Sequence, residues 1–334
     1  MTFPPEATKQ RLAVVTGAAG FVGSHLVSGL VERGWRVRAV DLPGTPAPEA
    51  SDHLQWMEGD IRSADLVNRM VEGTDTVFHL ASAHLQVGAP EDWYQSVNVD
   101  AIGPLVEACS RAGVRRLVHT SSVGIYGHVT EPPANEDSVK SPGNDYERTK
   151  LQGEEVVFRE TQRTGTDLVV LRPGWVYGPG CPRTTKLLRT IRKGRFVFVG
   201  PGRNLRHPIH IDDMVAAYDR AAAAPPEASG QAYLIVGPRP VTVRELVDTC
   251  ARVLQVRPPA LRLPRGLALA LGWAAEVGFS VLPGEPPFSR RSLAFFDNDN
   301  AFDGGRAERK LGFRPSVELE AGLARTLEAM EQTV

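Results

Sequence analysis

The sequence predicts an α/β protein, a doubly wound parallel sheet carrying a smaller, mostly C-terminal substrate-binding lobe. Three observations predict it: short apolar runs alternate with helix-patterned segments, a glycine-rich turn joins the first run to the first helix, and an acid closes the second run. Leu12 to Thr16 is the first apolar run, and Phe21 to Arg33 follows with helical spacing. Arg36 to Asp41 and Leu54 to Glu58 are the next strands, the latter leading to a helix from Ala64. Thr76 to Leu80, Arg116 to Thr120 and Leu168 to Leu171 continue the series. Strands separated by helices require right-handed crossovers and a parallel sheet covered on both faces. Beyond Tyr177 proline, glycine and arginine loosen the pattern; 221–230 reads as a loop returning to an apolar strand at Ala232 to Val236. The expected division is a nucleotide-binding domain over 10–177, with further strands from about 205–240, and a discontinuous substrate region over 178–334.

Composition narrows the function classes. A chain of 334 residues with 42% hydrophobic content can bury a large core. Its net charge of -1 gives no electrostatic reason to expect nucleic acid. Cys109, Cys181 and Cys250 are odd in number and widely spaced, which indicates neither a disulfide framework nor a zinc site. The first ten residues lack an apolar signal core, so a cytoplasmic protein is expected. Leu267 to Leu282 is nearly all apolar but contains Glu276 and is shorter than the roughly 20 residues a spanning helix needs. A buried or subunit-facing helix and a peripheral membrane patch admitting a greasy substrate both fit it.

Gly17, Gly20 and Gly23 are spaced G-x-x-G-x-x-G between the first strand and the first helix. Each lets backbone pass where a side chain would block it, so a pyrophosphate can sit on the helix N-terminus. Asp41 follows at the separation of a ribose-binding carboxylate. Such a group accepts hydrogen bonds from free ribose hydroxyls and repels a phosphate, favouring NAD over NADP; Arg36 and Arg38 nearby weaken that preference. Asp60 is placed to contact the adenine edge or to cap a helix. Tyr146 and Lys150 stand one helical turn apart, where an ammonium can stabilise a phenolate and make it a usable acid or base.

The ordered set T-G-A-A-G-F-V-G, G-D-I-R, H-L-A-S, N-V-D-A-I-G, T-S-S-V-G-I-Y-G, Y-E-R-T-K and L-R-P-G-W-V-Y-G-P-G resembles the extended short-chain dehydrogenase/reductases, from about Leu12 almost to the C-terminus. The resemblance implies a Rossmann-type fold and catalysis by Ser122, Tyr146 and Lys150. Ser122 would bond the reacting oxygen, Tyr146 would act as acid or base, and Lys150 would bind the nicotinamide ribose and hold the phenol's pKa down. Cofactor contacts would come from Gly17, Gly20, Phe21, Val22, Gly23, Asp41, Asp60, Ile61, Leu80, Ala81, Ser82, Asn98, Pro173 and Gly174. His84, Ser122, Trp175 and Arg206 would face a small-molecule substrate. A homodimer built on the helices after Asn98 and around Tyr146 is also implied.

The substrate signatures divide. Trp175 stands where nucleotide-sugar members carry a diphosphate-binding asparagine, whereas Arg206 keeps their arginine. The segment 263–296 resembles the apolar helix of 3β-hydroxysteroid dehydrogenase-like members. T-S-S-V lacks the acid of 4,6-dehydratases. The leading expectation is an NAD-dependent oxidoreductase of secondary alcohols or ketones. A nucleotide-sugar 4-epimerase or ketoreductase is second, and a non-catalytic NAD-binding regulator third.

Overall fold

The computed structural model describes residues 11–84, 90–270, 295, 296 and 298–332. The first half runs β1 (Leu12–Thr16), α1 (Phe21–Glu32), β2 (Arg36–Asp41), β3 (Leu54–Glu58), α2 (Ala64–Val71), β4 (Thr76–His79), α3 (Glu91–Gln95), α4 (Ile102–Arg111) and β5 (Arg116–Thr120). The chain continues through α5 (Asp145–Thr164), β6 (Leu168–Pro173), β7 (Trp175–Tyr177), α6 (Pro182–Arg192), β8 (Phe198–Val199), β9 (Leu205–Arg206) and β10 (Pro208–His210). It ends with α7 (Ile211–Ala223), β11 (Gln231–Ile235), β12 (Val241–Thr242), α8 (Val243–Val253), β13 (Arg262–Leu263), α9 (Gly305–Leu311) and α10 (Leu319–Gln332).

Seven strands form one parallel sheet in the order β11-β6-β5-β4-β1-β2-β3. The order reverses direction at β1, so a crevice opens at the C-terminal ends of β1 and β4, the place where such sheets bind ligands. Every residue of β4 is buried, as are Ala13 to Thr16 of β1, because helices cover both faces. Adjacent residues point to opposite layers. Val15, Ala39 and Phe78 pack against Leu26 and Leu30 of α1 and Met214 and Tyr218 of α7. Val14, Val40 and Val77 pack against Leu66 and Met70 of α2, Leu105 of α4 and Val157 of α5.

From 205–240 one strand, β11, joins the main sheet; β9 and β10 form separate two-stranded ladders with β12 and β7. Short strands broken by Gly200, Gly202 and Pro208 cannot extend a long sheet edge. A third core assembles the C-terminal lobe from Leu188 and Ile191 of α6, Leu246 and Val247 of α8, Phe198 and Leu323. The three cysteines are free and buried, and no cluster of metal-ligating side chains occurs among the described residues. Most of the apolar run 267–282, with the segment that follows it to 294, and residues 1–10 lie outside the described residues. No helix among the described residues is long and apolar enough to cross a membrane.

Helix α5, which carries Tyr146 and Lys150, is fixed by polar and steric contacts rather than by apolar packing alone. Arg172 of β6 and Glu154 of α5 form a buried, two-pronged ion pair. Arg172 also donates to the Tyr126 hydroxyl at 2.6 Å and the Glu136 carbonyl at 2.9 Å. On the other side, α5 crosses so closely that a Cβ on Gly153 would lie 2.1 Å from the Asn98 carbonyl oxygen. Removing one partner of a buried pair strands the other charge. Glu154→Ala is therefore expected to lower unfolding free energy by about 3–5 kcal/mol, read from urea denaturation; a loss below about 1 kcal/mol would contradict this role.

Candidate active site

The glycine turn has the shape a dinucleotide requires. Gly17 has φ +71°, and a Cβ there would meet the Ala81 nitrogen at 2.9 Å. A Cβ on Gly23 would stand 2.0 Å from the Gly17 carbonyl oxygen, so α1 can approach β1 this closely only with glycine. No side chain caps α1, whose N-cap is Gly20. The N–H groups of its first turn, including Phe21, Val22 and Gly23, are thus available to an anion such as a pyrophosphate. Asp41 ends β2 beside this turn: Oδ2 accepts from the Ala19 N–H at 2.7 Å and Oδ1 from Leu42 at 2.7 Å. A carboxylate has lone pairs left for two ribose hydroxyls.

The two arginines near Asp41 differ. Arg38 donates to the carbonyls of Met70 at 2.6 Å and Glu72 at 3.1 Å and to the Gln55 side chain, which turns it toward the end of α2. Arg36 is exposed at the start of β2. Asp60 is held by Arg62 and does not cap α2; the cap is Ser63, whose hydroxyl accepts from Leu66. Ile61 beside it is buried.

The loop after β4 is organised by two side chains. Thr16 Oγ1 accepts from the N–H groups of Leu80 and Ala81, each at 3.2 Å, and contacts His79 Nδ1 at 2.9 Å. Asn98 lies in a π-helical turn, Ser96–Asp100, between α3 and α4. Its Oδ1 accepts from Ser82 Oγ and the Ala83 N–H, while Nδ2 donates to the Ala83 carbonyl and Thr149 Oγ1. The extra residue of a π-turn re-aims this amide, and the amide ties the loop to α5. Asn98 thus positions Ser82 and the tyrosine helix through bonds that already use both ends of its side chain.

Helix α5 starts at Asn144, whose Oδ1 accepts from the Glu147 N–H at 3.0 Å, and Glu147 reaches back to the Gly143 N–H. This fixes the first turn, which holds Tyr146. Ser122 Oγ accepts from the Gly124 N–H at 3.0 Å and faces Tyr146. Withdrawal from water raises the phenol above its ordinary pKa; the Arg183 cation and Ser122 pull it back, while Glu147 adds to the rise. Lys150 sits one turn on, buried, with Nζ donating to the Thr120 carbonyl at 2.6 Å. Burial lowers it to about 8, against the opposing pull of Glu154. One of the three Lys150 donors is thus taken by a strand-end carbonyl, and the Arg183 cation also acts on the phenol.

On the substrate side, Pro173 and Gly174 are half-buried at the end of β6. A Cβ on Gly174 would stand 2.5 Å from the His207 carbonyl, so the turn into β7 needs glycine. Trp175 is half-buried and meets Phe295 edge to face at 6.3 Å. Arg206 departs from the expected phosphate ligand. It is 6% exposed, donates to the carbonyls of Phe295 at 2.6 Å and Asn298 at 2.9 Å, and lies over the Phe295 ring. Its sequence position says cation but not where the guanidinium turns. His84 stands edge-on to Tyr146, ring centroids 5.1 Å apart.

Sequence reading missed Arg183, His79 and His119. Arg183 lies on the first turn of α6 and donates to His84 Nε2 at 2.8 Å. His79 and His119 lie at the ends of β4 and β5 with rings 5.4 Å apart. Burial, then Lys150, drives both far below the usual histidine range, His79 to about 3, so both are neutral. The signal for Arg183 was a run of cations without acids; the histidines carried none, because apolar strands hide them.

A buried lysine whose folded pKa is about 8 binds fewer protons than its unfolded form between pH 8 and 10.4. Its cost to folding is complete below pH 8 and fades as pH rises toward 10.4. Lys150→Met should therefore gain about 1–3 kcal/mol of stability at pH 7 and lose that advantage by about pH 10.5. Chemical denaturation at both pH values checks it; equal gains at both would refute it.

With this geometry in view, the chain matches the family model described as NAD dependent epimerase/dehydratase family over residues 13–236. It is 28% identical to 3beta-hydroxysteroid-dehydrogenase/decarboxylase isoform 1 of Arabidopsis thaliana, over 96% of this chain and 80% of that one. It is 30% identical to 2-alkyl-3-oxoalkanoate reductase of Stenotrophomonas maltophilia (strain K279a), over 93% and 97%. Among solved structures, MoeE5 in complex with UDP-glucuronic acid and NAD aligns with a TM-score of 0.76 and 29% identity, over 96% and 99%. On this match and these relatives, the chain is an enzyme of the NAD dependent epimerase/dehydratase family, of the extended short-chain dehydrogenase/reductase type.

Proposed function

We propose that this protein is an NAD-dependent oxidoreductase of a secondary alcohol or ketone on a bulky, largely apolar substrate, hydroxysteroid-dehydrogenase-like in type. The observation that carries the reading is the substrate side of the cleft. Trp175 and Phe295 offer apolar surface there, and Arg206, the cation suited to a diphosphate, is committed to backbone carbonyls. The names of the Arabidopsis and Stenotrophomonas relatives support it.

The chain's residues fit NAD: the first-turn N–H groups of α1 would hold the pyrophosphate, Asp41 the adenosine ribose hydroxyls, and Lys150 the nicotinamide ribose. When bound, NAD supplies the hydride acceptor or donor at its nicotinamide. Ser122 fixes the reacting oxygen through its hydroxyl, which Gly124 orients. Tyr146 then removes or returns the proton on that oxygen, its ring held by the capped first turn of α5 and by His84. Asn98 keeps the loop around Ser82 in register with α5. A homodimer through α4 and α5, acting on a small-molecule substrate, completes the reading.

A nucleotide-sugar 4-epimerase or ketoreductase is the second reading, favoured by the likeness to MoeE5. NADH formation from a panel of hydroxysteroids and simpler secondary alcohols separates the two. Turnover of at least one is expected; none, alongside epimerisation of a nucleotide-sugar, would sink the dehydrogenase reading. Tyr146→Phe should lower kcat by about 10²- to 10⁴-fold with NAD binding intact, and undiminished turnover would remove the acid/base role. Asp41→Ala should weaken kcat/KM for NAD by about 10- to 100-fold while NADP changes less; an equal loss for both cofactors would argue against ribose recognition.

A further inference from the structure

The chain carries 39 acidic residues, yet none falls between Leu168 and Ile211 or between Thr249 and Ala275. The fold lays these two stretches against each other. β8 pairs with β13 in parallel, and the Phe198 and Gly200 N–H groups donate to the Leu261 and Leu263 carbonyls at 3.0 and 3.1 Å. On the first stretch the exposed cations Lys186, Arg189, Lys193 and Arg195 line an open groove of about 540 Å³ along α6 and the turn after it. On the second, Arg257, Arg262 and Arg265 are exposed. Arg195 precedes Phe198 by three residues, so at most about 11 Å of chain separates the groove from the ladder. Arg192 and Arg252 do not belong to this surface, because they pair with Glu331 and Glu320 of α10.

The same edge is apolar as well as basic. Leu261, Leu267 and Leu269 are 64%, 51% and 40% exposed, three of the five large hydrophobic side chains most open to solvent among the described residues. Ala268, between the last two, is buried against Val199 of β8, which fixes them at the ladder. From there an apolar seam runs inward. Phe296 packs with Val199 and Ala268, its ring centroid lies 5.2 Å from that of Phe295, and Phe295 meets Trp175 of the cleft at 6.3 Å.

We propose that this edge docks on an anionic phospholipid surface, its cations facing the headgroups and its leucines entering the acyl boundary. An interfacial protein surface needs both parts: apolar side chains contribute burial, and basic residues contribute attraction to negatively charged lipid. A nucleic acid or an acidic soluble partner would satisfy the cations and leave the leucines in water. At net charge -1 the molecule as a whole has no such attraction, so the patch decides which face meets the lipid. The docking surface goes beyond the proposed reaction and is measured without turnover. One consequence rests on that reaction: the aromatic seam is the path by which a bulky apolar substrate passes from the bilayer to Trp175 without crossing water.

The test is cosedimentation of the full chain with vesicles of phosphatidylcholine, either alone or containing about 30% phosphatidylglycerol. Wild type should bind the anionic vesicles more tightly by about 10-fold or more, and raising salt from about 50 to 500 mM should remove most of that difference. Lys186→Gln, Arg189→Gln, Lys193→Gln and Arg195→Gln combined should weaken binding to the anionic vesicles by about 100-fold. Leu261→Ser, Leu267→Ser and Leu269→Ser combined should weaken it by about 10-fold. Val139→Ser, exposed on the loop before α5, should leave it unchanged. All these side chains are exposed, and circular dichroism verifies that the variants fold. Equal affinity for the two vesicle types, no loss in either combined variant, or equally tight binding of polyglutamate or a single-stranded oligonucleotide overturns the docking surface. Vesicle binding together with no oxidation of any hydroxysteroid keeps the surface while the redox reading fails.

Discussion

The buried pair between Arg172 and Glu154 is the contact on which the active centre depends. It ties β6, next to the edge strand β11, to α5, which carries both Tyr146 and Lys150. Moving two charges out of water costs several kcal/mol per ion, and the pair survives because its other hydrogen-bonding capacity is filled. Tyr126 and the Glu136 carbonyl fill it, and both come from the segment that follows Ser122. One ion pair therefore sets the distance between the strand that ends beside the serine and the helix that carries the tyrosine. Gly153 completes the constraint from the opposite side, since any larger residue would collide with the π-helical turn at Asn98.

The electrostatics of the centre follow from this rigidity. Lys150 is driven into the sheet end, where its ammonium reaches the Thr120 carbonyl and sits near two histidines that burial keeps neutral. A lysine pushed to about 8 is costly to bury, which is the stability that such sites give up for function. Tyr146 is raised rather than lowered, with Arg183 and Ser122 opposing the rise. The Arg183 cation that opposes the rise comes from α6, outside the parallel sheet.

The same division explains the substrate side. Arg206 turns inward and fastens the segment around Phe295 and Asn298, which places an aromatic ring against Trp175. Arg183, in a stretch of cations with no motif, turns toward the chemistry.

The sequence by itself determined the sheet, the crossovers and the glycine turn, because period, punctuation and backbone permissiveness are local properties. Strand ends fell within two residues of expectation at β4 and β6, and Asp41 reaches the glycine turn at the Ala19 N–H. The order of Ser122, Tyr146 and Lys150 was legible for the same reason. Only the tertiary structure decided which partner each charged side chain takes. Asp60 turned to Arg62 and left the helix cap to Ser63, Asn98 was spent on loop and helix, and Arg38 was drawn to the end of α2. Long polar side chains have many rotamers of similar energy, and the choice among them falls to carbonyls and carboxylates contributed from far along the chain, which no local pattern encodes.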